Sequence, residues 1–274
     1  MNFSTTQLTD FQFCSSLEWL ETNGIGGYAS STVSGANTRR YHGLLVASLR
    51  PPLERRVVLS KLDDRITIGD EIFELSANQY PGAVHPTGFQ NLISFDRFVF
   101  PEFTYKAGGV KLRKTIACIH GQNTTVVMYN VIEARNAFTL ELMPFCSFKD
   151  FHTNAHANDS IYRQYLFEDG LFRTKNYQES SELFIYVPGS EFRPGGHWYY
   201  NFEYLRELDR GLDFREDLFN HGKFLVPLKK GDQVGVVIST ENCEGVIAAD
   251  LLLAETKRRK NLVATIENQV HQRL

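Results

Sequence analysis

The sequence predicts an all-β fold of two packed antiparallel sheets that ends on a single C-terminal helix. The first observation is a central series of β-rich runs at residues 102–106, 110–119, 124–134 and 138–145, joined by short turn sequences. The second is that apolar and polar residues roughly alternate within residues 110–118, so that one face is apolar. A sheet with one apolar face requires a second layer to cover it. We therefore expect four adjacent central strands packed against another sheet.

Further strands are predicted on both sides of this central region, which supports two sheets rather than one. Each is a short apolar or β-branched run bounded by turn-forming residues. These runs are residues 28–33, 57–68, 92–100, 164–167, 171–175, 183–187, 222–226 and 233–240.

The C-terminal third contains two regions without strand periodicity. Residues 193–220 are dense in aromatic and charged residues and lack a sustained period of two, which predicts a long ordered loop with one helical turn. Residues 248–272 carry apolar residues at helical spacing among basic ones, which predicts a helix. The expected organisation is a β domain over residues 1–247 and a helical segment over residues 248–274.

Composition argues against several functional classes. The 29 basic and 32 acidic residues give a net charge of -3, and no basic block is present, so nucleic acid is not an expected partner. No secretory signal is evident at the N-terminus, and no apolar run is long enough to span a membrane. The cysteines lack the close pairs of zinc sites, which predicts reduced structural thiols in a cytoplasmic protein. They are Cys14, Cys118, Cys146 and Cys243.

The segment from Glu18 to Val46 holds the most distinctive group of residues. Its NGIGGY sequence contains Gly24, Gly26 and Gly27, but the spacing differs from that of a dinucleotide-binding loop, and an extended run follows it. We therefore expect a tight turn that leads into a strand, and no cofactor site.

Two basic side chains in the same segment are candidate ligand contacts. If residues 39–42 are extended, Arg40 and His42 share a face, because alternate residues of a strand point the same way. They then form a donor pair for sugar hydroxyls or for a neighbouring carboxylate. The alternative is an arginine bound to a buried acid, and the sequence does not decide between the two.

His152 and His156 are considered as metal ligands because they are four residues apart, with Asp150 and Asp159 nearby. The residues between them are typical of a loop rather than a helix, and no third ligand is fixed by spacing. We therefore expect a hydrogen-bonded loop and no metal site.

The run from His197 to Phe219 combines aromatic rings with acids and amides, which suits carbohydrate binding. The alternative is a loop held by its own aromatic residues against the sheet and another domain. The acids alternate with Arg206, Arg210 and Arg215, which favours ion pairs over a carboxyl group of raised pKa. No sequence motif of a nucleophilic hydrolase is present, and no catalytic residue is assigned. The predicted substrate-binding residues are Arg40, His42, Trp198, Tyr199, Asn201 and Glu203.

Several long segments together resemble the N-terminal domain of bacterial and archaeal glycogen debranching enzymes, the amylo-α-1,6-glucosidase family. They are residues 18–47, 59–66, 78–89, 103–116, 120–131 and 198–220. The resemblance implies a β-supersandwich that precedes an (α/α)6-barrel carrying the catalytic carboxylates, with a helical linker between the two. Residues 248–272 resemble that linker. Since no alternating helices follow in this sequence, we expect the general acid and base to lie outside it.

Three functional hypotheses follow from the resemblance. In the first, the chain binds or positions an α-glucan for a barrel supplied in cis or in trans. In the second, it is a structural domain that docks on the barrel and contacts no sugar. The third, an independent glycosidase using acids between residues 203 and 217, is the weakest. An exposed docking face also predicts a homodimer in the absence of the barrel.

Overall fold

The computed structural model describes residues 3–271, with side chains as far as residue 265. Two large antiparallel sheets dominate this part of the chain, so the predicted all-β fold class is confirmed. The strands are β1 Glu18–Thr22, β2 Tyr28–Thr32, β3 Gly43–Arg50, β4 Leu53–Ile68, β5 Glu71–Glu74, β6 Ala77–Tyr80, β7 Ala83–Thr87, β8 Leu92–Arg97, β9 Pro101–Ala107, β10 Val110–Cys118, β11 Thr124–Glu133, β12 Phe138–Asp150, β13 Tyr165–Glu168, β14 Leu171–Thr174, β15 Leu183–Tyr186, β16 Glu191–Glu203, β17 Arg215–Leu228 and β18 Gln233–Ser239.

The two sheets contain eight strands each. The front sheet has the order β1-β2-β3-β4-β12-β17-β16, with β5 paired to the second half of β4. The back sheet has the order β13-β14-β15-β18-β11-β10-β9-β8. A separate hairpin, β6–β7, lies next to β16. The helices are α1 Thr5–Leu8, α2 Phe11–Ser16, α3 Leu205–Leu208 and α4 Ala248–His271, and a 3-10 turn covers Gly88–Asn91.

The main core lies between the two sheets. In β4, Leu62 and Ile66 are buried in this core, whereas Asp63 and Arg65 point to the outer face of the front sheet. Burying each such apolar side chain contributes roughly 1.5–3 kcal/mol. A polar bridge crosses the core, where Asp64 accepts hydrogen bonds from Tyr129 at 2.9 Å and from Lys114 at 2.8 Å. An ion pair and a hydrogen bond therefore join the front and back sheets, in addition to their apolar contacts.

Every predicted strand coincides with an observed one, but the predicted adjacency of the four central strands is wrong. Strands β9, β10 and β11 are neighbours in the back sheet, whereas β12 pairs with β4 and β17 in the front sheet. The free edge of β11 is occupied by β18 instead, with Thr124 opposite Ser239. A connection of four residues therefore crosses between the sheets rather than closing a hairpin. Six observed strands, β1, β3, β5, β6, β7 and β16, were not predicted.

The long loop predicted over residues 193–220 is also wrong, although the one helical turn predicted within it is present as α3. Strand β16, helix α3 and strand β17 form an antiparallel hairpin there. Its pairing register shifts between Pro194 and His197 and again between Tyr199 and Phe202. Each β-bulge moves the following side chains to the other face, so the period of two is lost although the strand continues.

The C-terminal helix begins at Ala248 as predicted, and the predicted last residue, Gln272, lies outside the described residues. The first turns of α4 pack on the outer face of the back sheet against Met128 and Val237. Farther along, Arg259 bonds to the buried Glu21 at 2.6 Å and lies 4.4 Å from the ring of Phe100. The helix is therefore held to the sandwich at two points.

The four cysteines are buried free thiols in the described structure, as predicted. Burial raises the pKa of Cys118 and of Cys146 to about 12, which leaves both thiols protonated and unreactive. Within residues 3–271, no helix has both the length and the apolar character that a bilayer crossing requires.

Candidate functional site

A cleft of about 450 Å³ opens on the outer face of the front sheet. Strands β4, β12 and β17 supply its floor, and β16 and the adjoining β6–β7 hairpin supply its walls. Its lining comprises Asp63, Arg65, Glu74, Asn78, Tyr80, His85, Pro86, Met143, Phe145, Arg193, Pro194, Gly195, His197, Tyr199, Asn220, Gly222 and Lys223. Clefts with aromatic walls and a few fixed polar groups are the usual form of small-ligand sites.

Aromatic rings on both walls give the cleft its shape. On β16, Tyr199 stacks on His197 at 4.6 Å between ring centroids and meets Phe145 edge to face at 4.9 Å. On the hairpin, Tyr80 packs against Phe202 at 5.0 Å. Among the described residues, the hydroxyls of Tyr80 and Tyr199 form no hydrogen bond with the protein, so both remain available to a ligand.

The charged groups of the floor are compensated by one another. Glu141 accepts bonds from Arg65 at 2.8 and 2.9 Å, from Lys223 at 2.7 Å and from Thr67 at 2.9 Å. Burial alone would raise the pKa of Glu141, but these bonds outweigh it and lower that pKa. The carboxylate therefore stays ionised and fixes both cations.

A second buried pair lies beside the first. Asp63 faces Lys61 at 3.1 Å and accepts a bond of 2.7 Å from the amide of Asn78. Since Asn78 belongs to β6, this contact also fixes the hairpin wall against the sheet. The balance of charge in the cleft suits a neutral, polar ligand better than an ionic one.

The aromatic pair predicted as ligand contacts is divided between the two faces of β16. Tyr199 lines the cleft, whereas Trp198 packs edge to face on Phe219 at 5.4 Å. Adjacent residues of a strand point in opposite directions, so the two rings belong to different surfaces. Of this pair, only Tyr199 faces the cleft.

The other predicted residues of this region lie at the far end of β16. Asn201 is exposed at the second bulge with a φ of 61°, and its backbone N–H donates to Asp217 at 2.9 Å. Glu203 is buried and pairs with Arg215 at 3.2 Å. Its carboxylate is therefore engaged within the protein.

Arg40 and His42 lie in a turn rather than an extended segment, so the prediction that they share a face is wrong. Arg40 donates to the buried Glu207 at 3.1 Å and to the carbonyl of His152 at 2.8 Å. Of the two alternatives for Arg40, the structure therefore contains the bond to a buried acid. This bond ties the turn to α3.

His42 is almost completely buried and bonds to groups other than those that Arg40 contacts. Its Nδ1 accepts a bond of 3.1 Å from the backbone N–H of Thr38, and its Nε2 lies 3.9 Å from Glu18. Burial lowers the pKa of His42, so the ring is neutral at neutral pH. Its role in the fold is to hold the turn at residues 38–42 against β1.

Most of the acids between residues 203 and 217 form ion pairs, as predicted from their alternation with arginines. Arg206 pairs with Asp209 at 3.2 Å, and Arg210 with Glu207 at 3.3 Å. Deeper in the same region, the buried Glu216 lies 2.7 Å from Lys149 and accepts a bond from Tyr204. The first two pairs are local to α3, whereas the Glu216–Lys149 pair joins β17 to β12.

The glycine cluster forms the turn between β1 and β2, as predicted. Gly24 and Gly26 have φ values of 78° and 100°, which L side chains rarely adopt. At Gly27, a Cβ would lie 2.8 Å from the carbonyl oxygen of Val46, so this position requires glycine for a different reason, the close approach of β3.

The two histidines considered as metal ligands contact different partners. His152 Nδ1 lies 3.2 Å from the hydroxyl of Tyr41, and His156 lies 3.6 Å from Asp213. The described part of the chain contains no cluster of three or more His, Cys, Asp or Glu residues arranged to hold a metal ion.

The hairpin wall is the part of the cleft that sequence reasoning missed. Asn78, Tyr80 and His85 lie in the segment 78–89, which was noted only for its family resemblance. Its alternating exposed and half-buried residues in β7 are those of a short hairpin, but its placement over β4 and β16 depends on contacts distant in sequence.

A profile of the family described as "Glycogen debranching enzyme N terminal" matches residues 17–235. The chain belongs to this family. The match spans both sheets, the glycine turn, the cleft and the β16–β17 hairpin. No protein of curated function matches.

Solved structures similar to this debranching-enzyme N-terminal domain include a bacterial glucoamylase complexed with acarbose, at 10% identity and a TM-score of 0.41, covering 88% of this chain and 32% of that one. A 4-α-glucanotransferase from Thermococcus litoralis has 12% identity and a TM-score of 0.41, covering 81% and 37%. A heparan sulfate lyase HepC mutant from Pedobacter heparinus has 11% identity and a TM-score of 0.34, covering 74% and 24%. The domain thus spans about a third of these chains or less.

Proposed function

We propose that this domain positions an α-glucan for a glycogen-debranching α-1,6-glucosidase. The observation that carries the proposal is the outer-face cleft, with tyrosines on both walls, in a chain of this family. Aromatic rings bury the apolar face of a pyranose, and fixed amides and charged groups bind its hydroxyls. The charge balance of the floor is consistent with a neutral sugar.

The six residues predicted from the sequence take different parts in this proposal. Tyr199 contacts the glucan directly, with Tyr80 on the adjoining hairpin. Arg40 and Glu203 hold the segments next to the cleft wall, and His42 holds the turn at residues 38–42 against β1. Trp198 and Asn201 lie on or beside the opposite face of β16, where they could be reached only by a chain that passes around the strand.

The catalytic partner in this proposal is an (α/α)6 barrel, in cis or in trans. There, one carboxylic acid protonates the leaving oxygen of the α-1,6 linkage and a carboxylate activates water. The docking element on this chain is α4, which carries Leu253, Leu262 and Val263 with half or more of each side chain exposed. Without a barrel, the same surface would pair two copies of the chain, and light scattering that shows only monomer would contradict this. The buried free thiols are consistent with a cytoplasmic location.

Calorimetry with maltoheptaose tests the binding role directly. We expect the chain to bind this linear α-glucan and Tyr199→Ala to weaken binding about tenfold, the loss of about 1.4 kcal/mol that a stacking tyrosine can supply. Tyr200→Ala is the matched control, because Tyr200 is the adjacent residue and is 57% exposed outside the cleft. Since Tyr199 also packs on Phe145, circular dichroism must show that the variant is folded.

Two outcomes would argue against the proposal. If the wild-type chain does not bind the glucan, the alternative of a structural domain that only docks on the barrel is favoured. If both tyrosine variants bind equally well, the sugar does not occupy this cleft.

A further inference from the structure

A second pocket, of about 590 Å³, lies at the β1 edge of the front sheet beside the glycine turn. It shares no lining residue with the cleft. In β1, exposed and buried residues alternate, and the exposed residues Glu18, Leu20 and Thr22 line the pocket. Tyr28 closes its floor by donating a hydrogen bond of 2.8 Å to the carbonyl of Tyr41.

Three arginines line this pocket, and two of them are held by backbone carbonyls instead of acids. Arg55 Nε donates to the carbonyl of Gly26 at 2.8 Å, and Arg97 Nη2 donates to the carbonyl of Leu20 at 2.7 Å. In the described structure, neither guanidinium forms an ion pair. Each bond fixes its side chain through one N–H and leaves the others free. The two positive charges are therefore oriented and have no ion-pair partner, and the nearby Glu21, which Arg97 also attracts, is already paired with Arg259.

The third arginine is neutralised. Arg39 pairs with Glu18, the one acid that lines the pocket, at 2.8 Å. His42 also lines the pocket, but burial lowers its pKa and it adds no charge at neutral pH. Three arginines and one glutamate leave a net charge of +2 in this pocket, in a chain whose net charge is -3. The pocket thus differs from the cleft, where each buried cation of the floor has an acid partner.

We propose that this pocket binds the phosphate group of a small ligand, with Arg55 and Arg97 as its anchors. A phosphate monoester carries a charge of about -1.5 to -2 at pH 7, which matches the uncompensated charge, whereas a single carboxylate would leave half of it unbalanced. Guanidinium groups bind phosphate through paired N–H donors. The volume exceeds that of one phosphate, and Leu20 and Tyr41 supply an apolar side for the rest of the ligand.

Calorimetry on the full chain distinguishes the source of the phosphate. Glucose 6-phosphate and inorganic phosphate are titrated in parallel, with glucose as the neutral control. We expect binding of at least one phosphate compound, weakened at high salt, and binding of glucose at least tenfold weaker. Tighter binding of glucose 6-phosphate identifies a sugar phosphate, and equal binding identifies a site for the phosphate group alone. Failure of both to bind below about 10 mM overturns the proposal.

Single substitutions test whether the phosphate compound binds in this pocket. Arg97→Gln, at an exposed side chain, and Arg55→Gln should each weaken phosphate binding about tenfold, equivalent to about 1.4 kcal/mol. The control is Arg50→Gln, since Arg50 is 84% exposed and lies outside the pocket. Glu18→Gln should strengthen binding several-fold by removing the one negative charge. Unchanged affinity in Arg97→Gln would overturn the assignment, and because the maltoheptaose test addresses the cleft alone, the two proposals fail independently.

Discussion

The buried pair of Glu216 and Lys149 gives the most direct test of how the β16–β17 hairpin is held. Glu216 is fully enclosed, lies 2.7 Å from Lys149 Nζ, and accepts a bond of 2.9 Å from the backbone N–H of Ala155. Replacing Glu216 with glutamine keeps the shape and one acceptor oxygen but removes the charge. Lys149 then remains buried without a counter-ion.

The size of the expected loss can be bounded in two ways. Removing one partner of a buried ion pair costs about 3–5 kcal/mol. Lys149 can also escape the penalty by losing its proton, which costs about 4.6 kcal/mol at pH 7 for a lysine of ordinary pKa, about 10.4. Burial already lowers the pKa of Lys149, so deprotonation costs less than this value, which is therefore the upper limit of the expected loss in stability. The two values agree, and we expect Glu216→Gln to lower the free energy of unfolding by about 3–5 kcal/mol at pH 7.

The pH dependence of this loss separates the charge from packing. Burial lowers the pKa of Lys149 in the wild-type chain, and the variant lacks the Glu216 charge that opposes this effect, so its folded pKa should fall further below the unfolded value. The unfolded state then binds more protons, and the stability of the variant rises with pH. At pH 9 the cost of deprotonation falls to about 1.9 kcal/mol, and the difference from wild type should shrink to about that value.

Urea unfolding at pH 7 and pH 9, followed by circular dichroism, measures both quantities. The double variant Glu216→Gln/Lys149→Met should recover most of the loss, because no charge is left unpaired. Glu182→Gln is the control, since Glu182 pairs with Arg173 at the surface and should contribute less than about 1 kcal/mol. A loss below about 1 kcal/mol at pH 7, or an equal loss at pH 9, would refute the reasoning.

Two further changes in stability follow from buried positions. Burial lowers the pKa of His221 to about 4. The stability that the neutral ring contributes is therefore fully present above about pH 6.5 and falls by about 3 kcal/mol as the pH falls toward 4. His221→Phe should remove this pH dependence of the free energy of unfolding, measured by urea unfolding between these pH values, and an unchanged pH dependence would contradict the assignment. Gly88→Ala should cost about 3 kcal/mol or more, because a Cβ there would lie 2.1 Å from the carbonyl carbon of Leu75. In the control Gly195→Ala, the nearest atom to the new Cβ is Gly222 Cα at 3.9 Å, an ordinary contact, and equal melting temperatures of the two variants would contradict this reasoning.

The strands were predictable from the sequence where their residue pattern is not interrupted. Strands β10 and β11 are long continuous runs of β-forming residues, and the turn residues between them mark the hairpin. Strand β16 could not be predicted in this way, because two β-bulges and the Gly195-Gly196 pair interrupt the alternation of its residues. The sheet to which β12 belongs could not be predicted either, since a short connection is compatible with a hairpin and with a crossing between sheets.

The candidate site was predictable only in part, because its members come from distant segments. Tyr199 could be chosen from local composition, but its counterpart Tyr80 could not, since nothing in the sequence places the β6–β7 hairpin beside β16. The role of Arg40 could not be predicted for the same reason. Its partner Glu207 lies 167 residues away, and the choice between a ligand contact and a buried pair requires that partner to be known.

The Arg40–Glu207 pair also explains why two distant segments are both distinctive in this sequence. The turn that contains Arg40 borders the arginine-lined pocket, and α3, which contains Glu207, follows the strand that walls the cleft. A second contact runs in parallel, where the backbone N–H of Arg206 donates to the carbonyl of Thr38 at 2.9 Å. These contacts fix the turn beside the arginine-lined pocket to the helix that follows the strand forming the cleft wall.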